Sequence, residues 1–370
     1  MGDTPLTDQQ RTEILEWARG FQTEHGFTTA AFAKQIGTSA AVLSQVLRDK
    51  YAGDSDRILR DLAKLRLVPV AKPKALAERV VQTQFCLDVW SIVSEVVAMA
   101  TGEEPEPRMG LITAPSGAGK SIALQGCALR YPEALYVEIT EGSCSTAGLL
   151  RELAFLLKCP HAWPQAAVSF AYIVHKLKGS YRLVIFDEVH HADIHGLNAI
   201  RQIQDKTGCP IILAGQPILQ TIIDRTRHDR SHGGTVFTRI GPRLAADDIT
   251  ATRATTGPDG KAIHVRDRDL LHTPEDVAKL LKRLRIRVHP RAMPMLLFLA
   301  NHADGGMLRT LVFLVRRCAR ANPQIEVLTE DLLKESLDRA MTIAEFEYLK
   351  NEMQTTELAA RIAECQGQVA

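Results

Sequence analysis

The sequence predicts an α/β protein in which one mostly parallel sheet is preceded and followed by helical segments. Between about residues 76 and 245, short apolar strands alternate with helical stretches, which is typical of parallel strands joined by crossover helices. Residues 1 to 68, and those from 274 onward, show helical periodicity instead. Only 5% of the residues are aromatic, which favours a helix-rich α/β protein over a β-sandwich.

Composition excludes several broad classes. The chain has 370 residues, of which 45% are hydrophobic, so it can bury a large core. We find no uninterrupted apolar run long enough for a membrane span and no export signal, and the seven cysteines are scattered without a CxxC pair. We therefore expect a soluble, cytoplasmic protein with reduced thiols and no membrane partner.

Charge is informative through its distribution. The net charge is +2, but residues 279 to 291 carry six Lys or Arg and no Asp or Glu. Such a run is often a solvated helix face, whereas the five arginines between residues 225 and 243 are candidates for phosphate contacts, either of nucleotide or of nucleic acid.

Residues 1 to 68 are expected to form a small all-helical domain. Thr7 is a candidate N-cap for a first helix that ends near Gly26, and two short helices then follow, separated by a turn at Gly37. Two prolines in residues 69 to 75 oppose a helix and predict a linker.

The core, residues 76 to 245, holds four strand candidates, which are MGLIT, ALYVEIT, RLVIFDE and PIILAG. Each is short and apolar and ends where polar or glycine-rich residues begin, as expected of buried parallel strands that carry a site at their carboxyl ends. Residues 246 to 273 are expected to form an insertion with a surface hairpin at 251 to 264, because GPDG favours a turn. Helices are predicted again over 274 to 370.

The segment LITAPSGAGKSIAL, residues 111 to 124, predicts a phosphate-binding loop between a strand and a helix. Gly117 and Gly119 allow the backbone N–H groups to point at phosphate oxygens, and Lys120 supplies a point charge. Ala114 stands where the usual pattern has its first glycine. The candidate ATP-binding residues are Pro115, Ser116, Gly117, Ala118, Gly119, Lys120, Ser121 and Ile122.

Asp187 and Glu188 follow a buried strand in the segment RLVIFDE. In a phosphate-loop enzyme the first carboxylate and the Ser121 hydroxyl hold Mg²⁺, while the second carboxylate accepts a proton from the attacking water. Asp187 and Ser121 are thus the candidate metal residues, and Glu188 is the candidate base.

Gln216, at the end of the strand PIILAG, is a candidate to orient the attacking water. Arg309 lies at the start of a later helix, from which it could reach the γ-phosphate.

Three histidines, His190, His191 and His195, crowd the same region. His191 and His195 are four residues apart, as two metal ligands on a helix would be, but no cysteine accompanies them. The pattern favours solvent-facing or nucleotide-sensing histidines over a metal site.

Together the segments APSGAGKS, VIFDE, ILAGQ and GMLR resemble the AAA+ ATPases, with their Walker A, Walker B, sensor 1 and sensor 2 motifs. The resemblance implies a helical lid after residue 274 and oligomers with shared sites. It also implies that Arg239 or Arg243 is a finger reaching a neighbouring subunit's ATP.

The segment FAKQIGTSAAVLSQVLRDKYAGD resembles the helix-turn-helix of the Mu B family of phage transposition proteins. That family implies an ATPase that binds double-stranded DNA largely without sequence preference, assembles into rings or helical filaments, and helps a transposase select its target. A helix from Ser39 to Lys50 would then lie at the major groove. Its candidate DNA contacts are Ser39, Ser44, Gln45, Arg48 and Lys50. The alternative is an AAA+ module of the secretion or signalling type whose N-terminal domain contacts proteins.

Overall fold

The computed structural model describes most of the chain, with the placed residues falling in separate ranges. They are 5–24, 28–65, 80–101, 108–131, 133–159, 165–226, 236–246, 251–256, 262–268, 270–302, 306–321, 327–338, 351–353, 358 and 362–363. The expected linker at 69 to 75, the end of the first helix at Gly26 and the turn GPDG lie outside them.

In the described residues of the N-terminal unit, four helices pack around the buried Phe32, Leu43 and Leu62. They are α1 (Asp8–Glu24), α2 (Thr29–Gln35), α3 (Ala40–Leu47) and α4 (Ser55–Lys64). The helix α1 begins with a capping box: the Gln10 backbone N–H donates to Thr7 Oγ1 (3.3 Å), and the Thr7 N–H donates to Gln10 Oε1 (3.0 Å). Thr7 is therefore the N-cap that the sequence predicts.

The helix α3 is shorter than the sequence predicts, since it ends at Leu47 rather than Lys50. The Lys50 N–H donates to the carbonyl of Gln45 and the Asp49 N–H to that of Val46, each at 2.9 Å. This is a Schellman ending, and Asp49 takes the left-handed conformation (φ 54°) that glycine usually occupies there. The helix propensities of Arg48, Asp49 and Lys50 do not indicate that the helix ends before them.

The central sheet has seven strands in the order β2-β3-β4-β1-β5-β6-β7. The strands are β1 (Met109–Thr113), β2 (Leu135–Glu138), β3 (Val184–Asp187), β4 (Ile211–Gly215), β5 (Ile240–Ala246), β6 (Ala251–Thr256) and β7 (Ala262–Arg268). The first five are mutually parallel. Alternate residues enter opposite cores, so that Leu111 and Phe186 face one and Ile112 and Ile185 the other. The α/β fold and its four predicted strands are confirmed.

The strand β5 was not predicted, because Gly241 and Pro242 interrupt its apolar pattern. The structure accommodates them in a bulge where the register between β1 and β5 shifts, so the missing N–H of Pro242 falls at an irregularity. Beyond it, β6 pairs antiparallel with both β5 and β7. The pairing of β6 with β7 extends four residues past the expected hairpin, to Arg268.

Helices cover both faces of the sheet. They are α5 (Gln84–Thr101), α6 (Lys120–Ala128), α7 (Thr146–Leu156), α8 (Ala166–Leu177), α9 (Ile194–Thr207) and α10 (Ile218–Thr226). The helix α5 is long and apolar enough to cross a bilayer by length and composition, which the sequence reading did not anticipate. Of the residues in this helix, 56% are buried inside the protein. This agrees with its position against β1, where Val96 packs over Gly110.

The C-terminal helices build a separate core around Leu296, Phe298 and Leu311. They are α11 (Pro274–Arg283), α12 (Met293–Asn301), α13 (Met307–Ala321) and α14 (Glu330–Asp338), with a two-stranded sheet of β8 (Arg287–Val288) and β9 (Val327–Leu328). All four helices coincide with helical segments that the sequence predicts.

Polar contacts between side chains and backbone groups join these parts. The N-terminal helix α1 lies against the end of α8, where Gln9 Oε1 is 2.7 Å from His175 Nε2 and Lys176 pairs with Glu13 at 3.4 Å. Elsewhere the buried Asp276 carboxylate accepts from the backbone N–H groups of Gln84 (2.8 Å) and Thr273 (3.2 Å). Asp276 thus links the first turn of α5 to the first turn of α11.

We predict that Asp276→Ala destabilises the protein by about 1–3 kcal/mol, because it leaves two backbone N–H groups without their acceptor. Urea unfolding of the whole chain measures the loss. The control is Glu275→Ala, which removes the exposed neighbouring carboxylate. Equal effects of the two substitutions would contradict the proposed role of Asp276.

Candidate functional site

The candidate phosphate loop joins β1 to α6. Gly117 (φ 86°) and Gly119 (φ 95°) take the left-handed conformations that the sequence predicts for them. Ala114 has no such conformation, and its N–H donates to the carbonyl of Gly215 on β4 (3.1 Å). Alanine is therefore tolerated at the first glycine position of the pattern, because that position continues the strand pairing.

Lys120 is the first residue of α6, and only 4% of its surface is exposed to solvent. Its Nζ donates to the carbonyl of Ala114 at 3.3 Å. Burial lowers the pKa of the ammonium, and Arg309 lowers it further, while the carboxylates of Glu188 and Asp187 act in the opposite direction. A bound phosphate would add negative charge beside this buried cation.

Asp187 ends β3 and is fully buried, with a partner for each carboxylate oxygen. Tyr136 on β2 donates its hydroxyl to Oδ2 (2.6 Å), and the Glu188 N–H donates to Oδ1 (2.8 Å). Burial and the neighbouring carboxylate raise the pKa of Tyr136, so its hydroxyl keeps its proton. Tyr136 therefore fixes the orientation of Asp187.

Sequence reasoning missed Tyr136. The contact depends on the pairing of β2 with β3, which sets Tyr136 beside Ile185 and Glu138 beside Asp187. A tyrosine in an apolar strand carries no signal of this contact, because strand order cannot be read from the segment itself.

Glu188 follows in a left-handed conformation (φ 54°), which for a non-glycine residue is uncommon and turns the chain sharply out of the strand. Its side chain is 27% exposed and reaches the cavity beside the phosphate loop. The strand end thus presents one buried and one accessible carboxylate.

Gln216 follows β4, the strand between β3 and β1. Its backbone N–H donates to Nδ1 of His190 at 3.4 Å. Burial, with the nearby His191 and Lys120, lowers the pKa of His190 to about 4, although Asp187 opposes this. His190 is therefore a neutral imidazole at neutral pH.

The C-terminal helices close over the phosphate loop. A Cβ atom at Gly117 would lie 2.1 Å from the carbonyl oxygen of Gly306. Any residue other than glycine would therefore clash with that carbonyl. Arg309, in the first turn of α13, donates to Ser116 Oγ at 3.4 Å. The loop and the first turn of α13 are thus in direct contact.

A cavity of about 750 Å³ separates the two parts. The sequence-predicted residues that line it are Gly117, Gly119, Lys120, Ser121, Ile122, Glu188 and Arg309. Three further arginines of α13 (Arg316, Arg317 and Arg320) and the apolar Leu280, Val312 and Phe313 also line it, and sequence reasoning named none of these. Pro115 and Ala118, which belong to the loop itself, are buried.

The two candidate finger arginines lie elsewhere. Arg239, just before β5, forms an ion pair with Asp205 of α9 (2.7 Å) and is 42% exposed. Arg243 is half-buried within β5, where it pairs with Leu111 of β1. Neither lines the cavity of its own chain.

The candidate DNA contacts lie on or beside α3. Ser39 is the N-cap of this helix and accepts from the Val42 N–H at 3.3 Å. Gln45, Arg48 and Lys50 are exposed, and Ser44 is half-buried. Arg48 and Lys50 lie beyond the helix end, so three of the candidates flank the helix rather than lie within it.

The fold and a match to a known domain define the class of this protein. A model of the AAA domain matches residues 104–223, from just before β1 into α10. The structure of Cdc6p from Pyrobaculum aerophilum shares the fold, with a TM-score of 0.50 and 14% sequence identity over 75% of this chain and 71% of that one. The chain thus has the AAA+ P-loop fold and is an ATPase, as the sequence predicts.

Among curated proteins, it is similar to three phage and prophage proteins. Two are the ATP-dependent target DNA activators B of Escherichia phages D108 and Mu, each 26% identical over 276 residues, which cover 71% of this chain and 81% of the relative. The third is the Mu-like prophage FluMu DNA transposition protein B of Haemophilus influenzae, 23% identical over 70% of this chain and 85% of that protein. The chain is thus an ATPase with a matched AAA domain, and it resembles the Mu B proteins.

We predict that Tyr136→Phe lowers the rate of ATP hydrolysis roughly 10- to 100-fold, because a hydrogen bond to a buried carboxylate contributes about 1.5–3 kcal/mol. Steady-state hydrolysis across a Mg²⁺ titration provides the measurement. Tyr131→Phe serves as the control, since its buried hydroxyl lies 3.3 Å from Ser94 Oγ, remote from the carboxylates. A wild-type rate for Tyr136→Phe would show that Asp187 needs no such support.

Proposed function

We propose that this chain is an ATP-dependent DNA-binding protein, largely indifferent to sequence, that assembles on target DNA and regulates a transposase. The similarity to target DNA activators over 71% of the chain carries the proposal. The cavity between the phosphate loop and the C-terminal helices supports it, because a nucleotide there would contact both parts.

The site residues have the chemistry that ATP hydrolysis needs. Ser121 and Asp187 offer the oxygen donors that Mg²⁺ prefers, and the ion, when bound, would neutralise charge on the phosphates. Lys120 and the loop N–H groups hold the β- and γ-phosphates. Glu188 accepts the proton of the attacking water, and Gln216 orients that water.

Arg309 would sense the nucleotide from the C-terminal lid. Its contact with Ser116 already holds it beside the loop. Closure of the lid on the γ-phosphate would link the state of the nucleotide to the position of helices α11 to α13. We propose that this is how ATP binding controls assembly.

DNA binding would depend mainly on backbone phosphates contacted by many subunits. All six basic residues of the 279 to 291 run are exposed, which suits them to phosphate contacts. The contribution of α3 is expected to be weak, because Asp49, Asp54 and Asp56 follow Arg48 closely in the sequence and offset its charge. The proposal also includes the division of the chain into an N-terminal domain (1–68), a linker (69–75), an ATPase core (76–245), a hairpin insertion (246–273) and a C-terminal helical lid and tail (274–370).

We predict that Lys120→Ala abolishes ATP-dependent binding to duplex DNA, whereas Glu188→Gln keeps it and stops hydrolysis. Without the Lys120 charge the loop holds phosphate poorly, while the amide of glutamine can still bind water but cannot accept its proton. Gel shifts on unrelated duplexes, with and without ATP and at several salt concentrations, give the readout. Binding by the wild type should fall steeply with salt.

Lys206→Ala, which removes an exposed lysine on α9, is the control and should behave as wild type. Undiminished ATP-dependent shifts by Lys120→Ala would overturn the site assignment. An absence of any shift by the wild type would instead favour the alternative, an AAA+ module of the secretion or signalling type whose N-terminal unit contacts proteins.

We propose Arg239 as the finger that acts on the ATP of a neighbouring subunit, with Arg243 the second candidate. Arg239 is partly exposed and held by Asp205, whereas Arg243 is half-buried within β5. A cation supplied from a second subunit stabilises charge on the transferring phosphoryl group.

Arg239→Ala alone and Glu188→Gln alone should each lose roughly 10³-fold in hydrolysis rate. An equal mixture should recover about a quarter of the wild-type rate, since one head-to-tail interface in four joins an intact base to an intact finger. The same mixture made with Arg243→Ala provides the comparison. If only the Arg243→Ala mixture is reactivated, the finger is Arg243.

A further inference from the structure

Glu188, His190 and His191 come together at the carboxyl end of β3. One ligand atom from each lies within 4.8 Å of the others. Among the described residues, these three side chains form a group of His and Glu ligands that are close enough together to hold a metal ion. The sequence spacing raised His191 and His195 as a possible pair of ligands. In the structure His195 instead lines a different cavity, together with Thr146.

The spacing of the closest pair suits a bound ion. Glu188 Oε2 lies 3.2 Å from His190 Nδ1. Two ligands of a tetrahedral ion, each at about 2.1 Å, lie about 3.4 Å apart. The rings of His190 and His191 have centroids 4.2 Å apart, so the second imidazole is beside the first. Three ligands would leave a fourth position for water.

The hydrogen bonding around this pair also indicates a cation. The Gln216 N–H donates to His190 Nδ1 at 3.4 Å, so this nitrogen presents a lone pair. Glu188 Oε2 is buried and accepts no hydrogen bond. Two electron-rich atoms therefore face each other at 3.2 Å, an arrangement that a metal ion between them would stabilise.

We propose that Glu188, His190 and His191 bind a divalent transition-metal ion of the Zn²⁺ class, and that the bound ion inhibits ATP hydrolysis. Imidazole ligands favour Zn²⁺ over Mg²⁺, which prefers oxygen, so this site is distinct from the Ser121 and Asp187 pair. The inhibition rests on the proposed function, in which Glu188 is the base, because a carboxylate bound to metal cannot accept the proton of water. ATP binding through Lys120 would persist.

The first experiment adds Zn²⁺ to the full-length protein hydrolysing ATP in excess Mg²⁺. We expect at least a tenfold loss of rate, reversed by a chelator that prefers Zn²⁺. His191→Ala, which changes an exposed residue outside the nucleotide cavity, should keep its uninhibited rate and lose most of the inhibition. His195→Ala, an exposed histidine outside the cluster, should be inhibited like wild type.

The second experiment measures binding without hydrolysis. Co²⁺ replaces Zn²⁺, and the visible absorption of tetrahedral Co²⁺ reports occupancy in the wild type, His191→Ala and His195→Ala. We expect the signal in the wild type and His195→Ala, and its loss in His191→Ala. Lys120→Ala should keep the signal, since the metal site does not need nucleotide.

The outcomes separate the two proposals. A Co²⁺ signal unchanged by His191→Ala, or equal Zn²⁺ inhibition of wild type and His191→Ala, would overturn the metal site. A His191-dependent Co²⁺ signal without inhibition would overturn the regulatory role and count against Glu188 as the base. Loss of both signal and inhibition in His191→Ala alone would support the site and its regulatory role.

Discussion

Parallel pairing of β3, β4 and β1 determines where the phosphate loop, the two carboxylates and Gln216 lie in the candidate site. The register sets Ile185 beside Ile212 and Thr113 beside Gly215, and the Ala114 N–H extends that pairing by one residue. Because parallel strands bring their carboxyl ends to one edge, the phosphate loop, the two carboxylates and Gln216 must meet there. Without this register, the same motifs would be scattered over the chain.

The contact between Gly117 and Gly306 sets the second boundary of the site. The backbone of the phosphate loop approaches the first turn of α13 so closely that no side chain fits between them. This approach brings Arg309 to Ser116 and leaves the cavity between the sheet and the arginines of α13. The same first turn is therefore both a wall of the cavity and a part of the lid.

Secondary structure was largely predictable from local chemistry. The four strands are short apolar runs, the N-cap of α1 is the threonine of a capping box, and the helices α11 to α14 follow clear periodicity. The failures have local causes too. The strand β5 contains a proline that only a bulge can accommodate, and α3 stops where Asp49 takes a left-handed conformation. Neither feature has a signal in the residue pattern.

The sequence by itself determined the class of fold and the ATPase motifs, since these depend on residue types at fixed short spacings. Only the tertiary structure decided which distant residues join them. It placed the Tyr136 hydroxyl on Asp187, paired Arg239 with Asp205, and brought His190 and His191, rather than His195, to Glu188. The physical reason is that strand order and helix docking set these contacts, and both result from packing over the whole core rather than from any single segment.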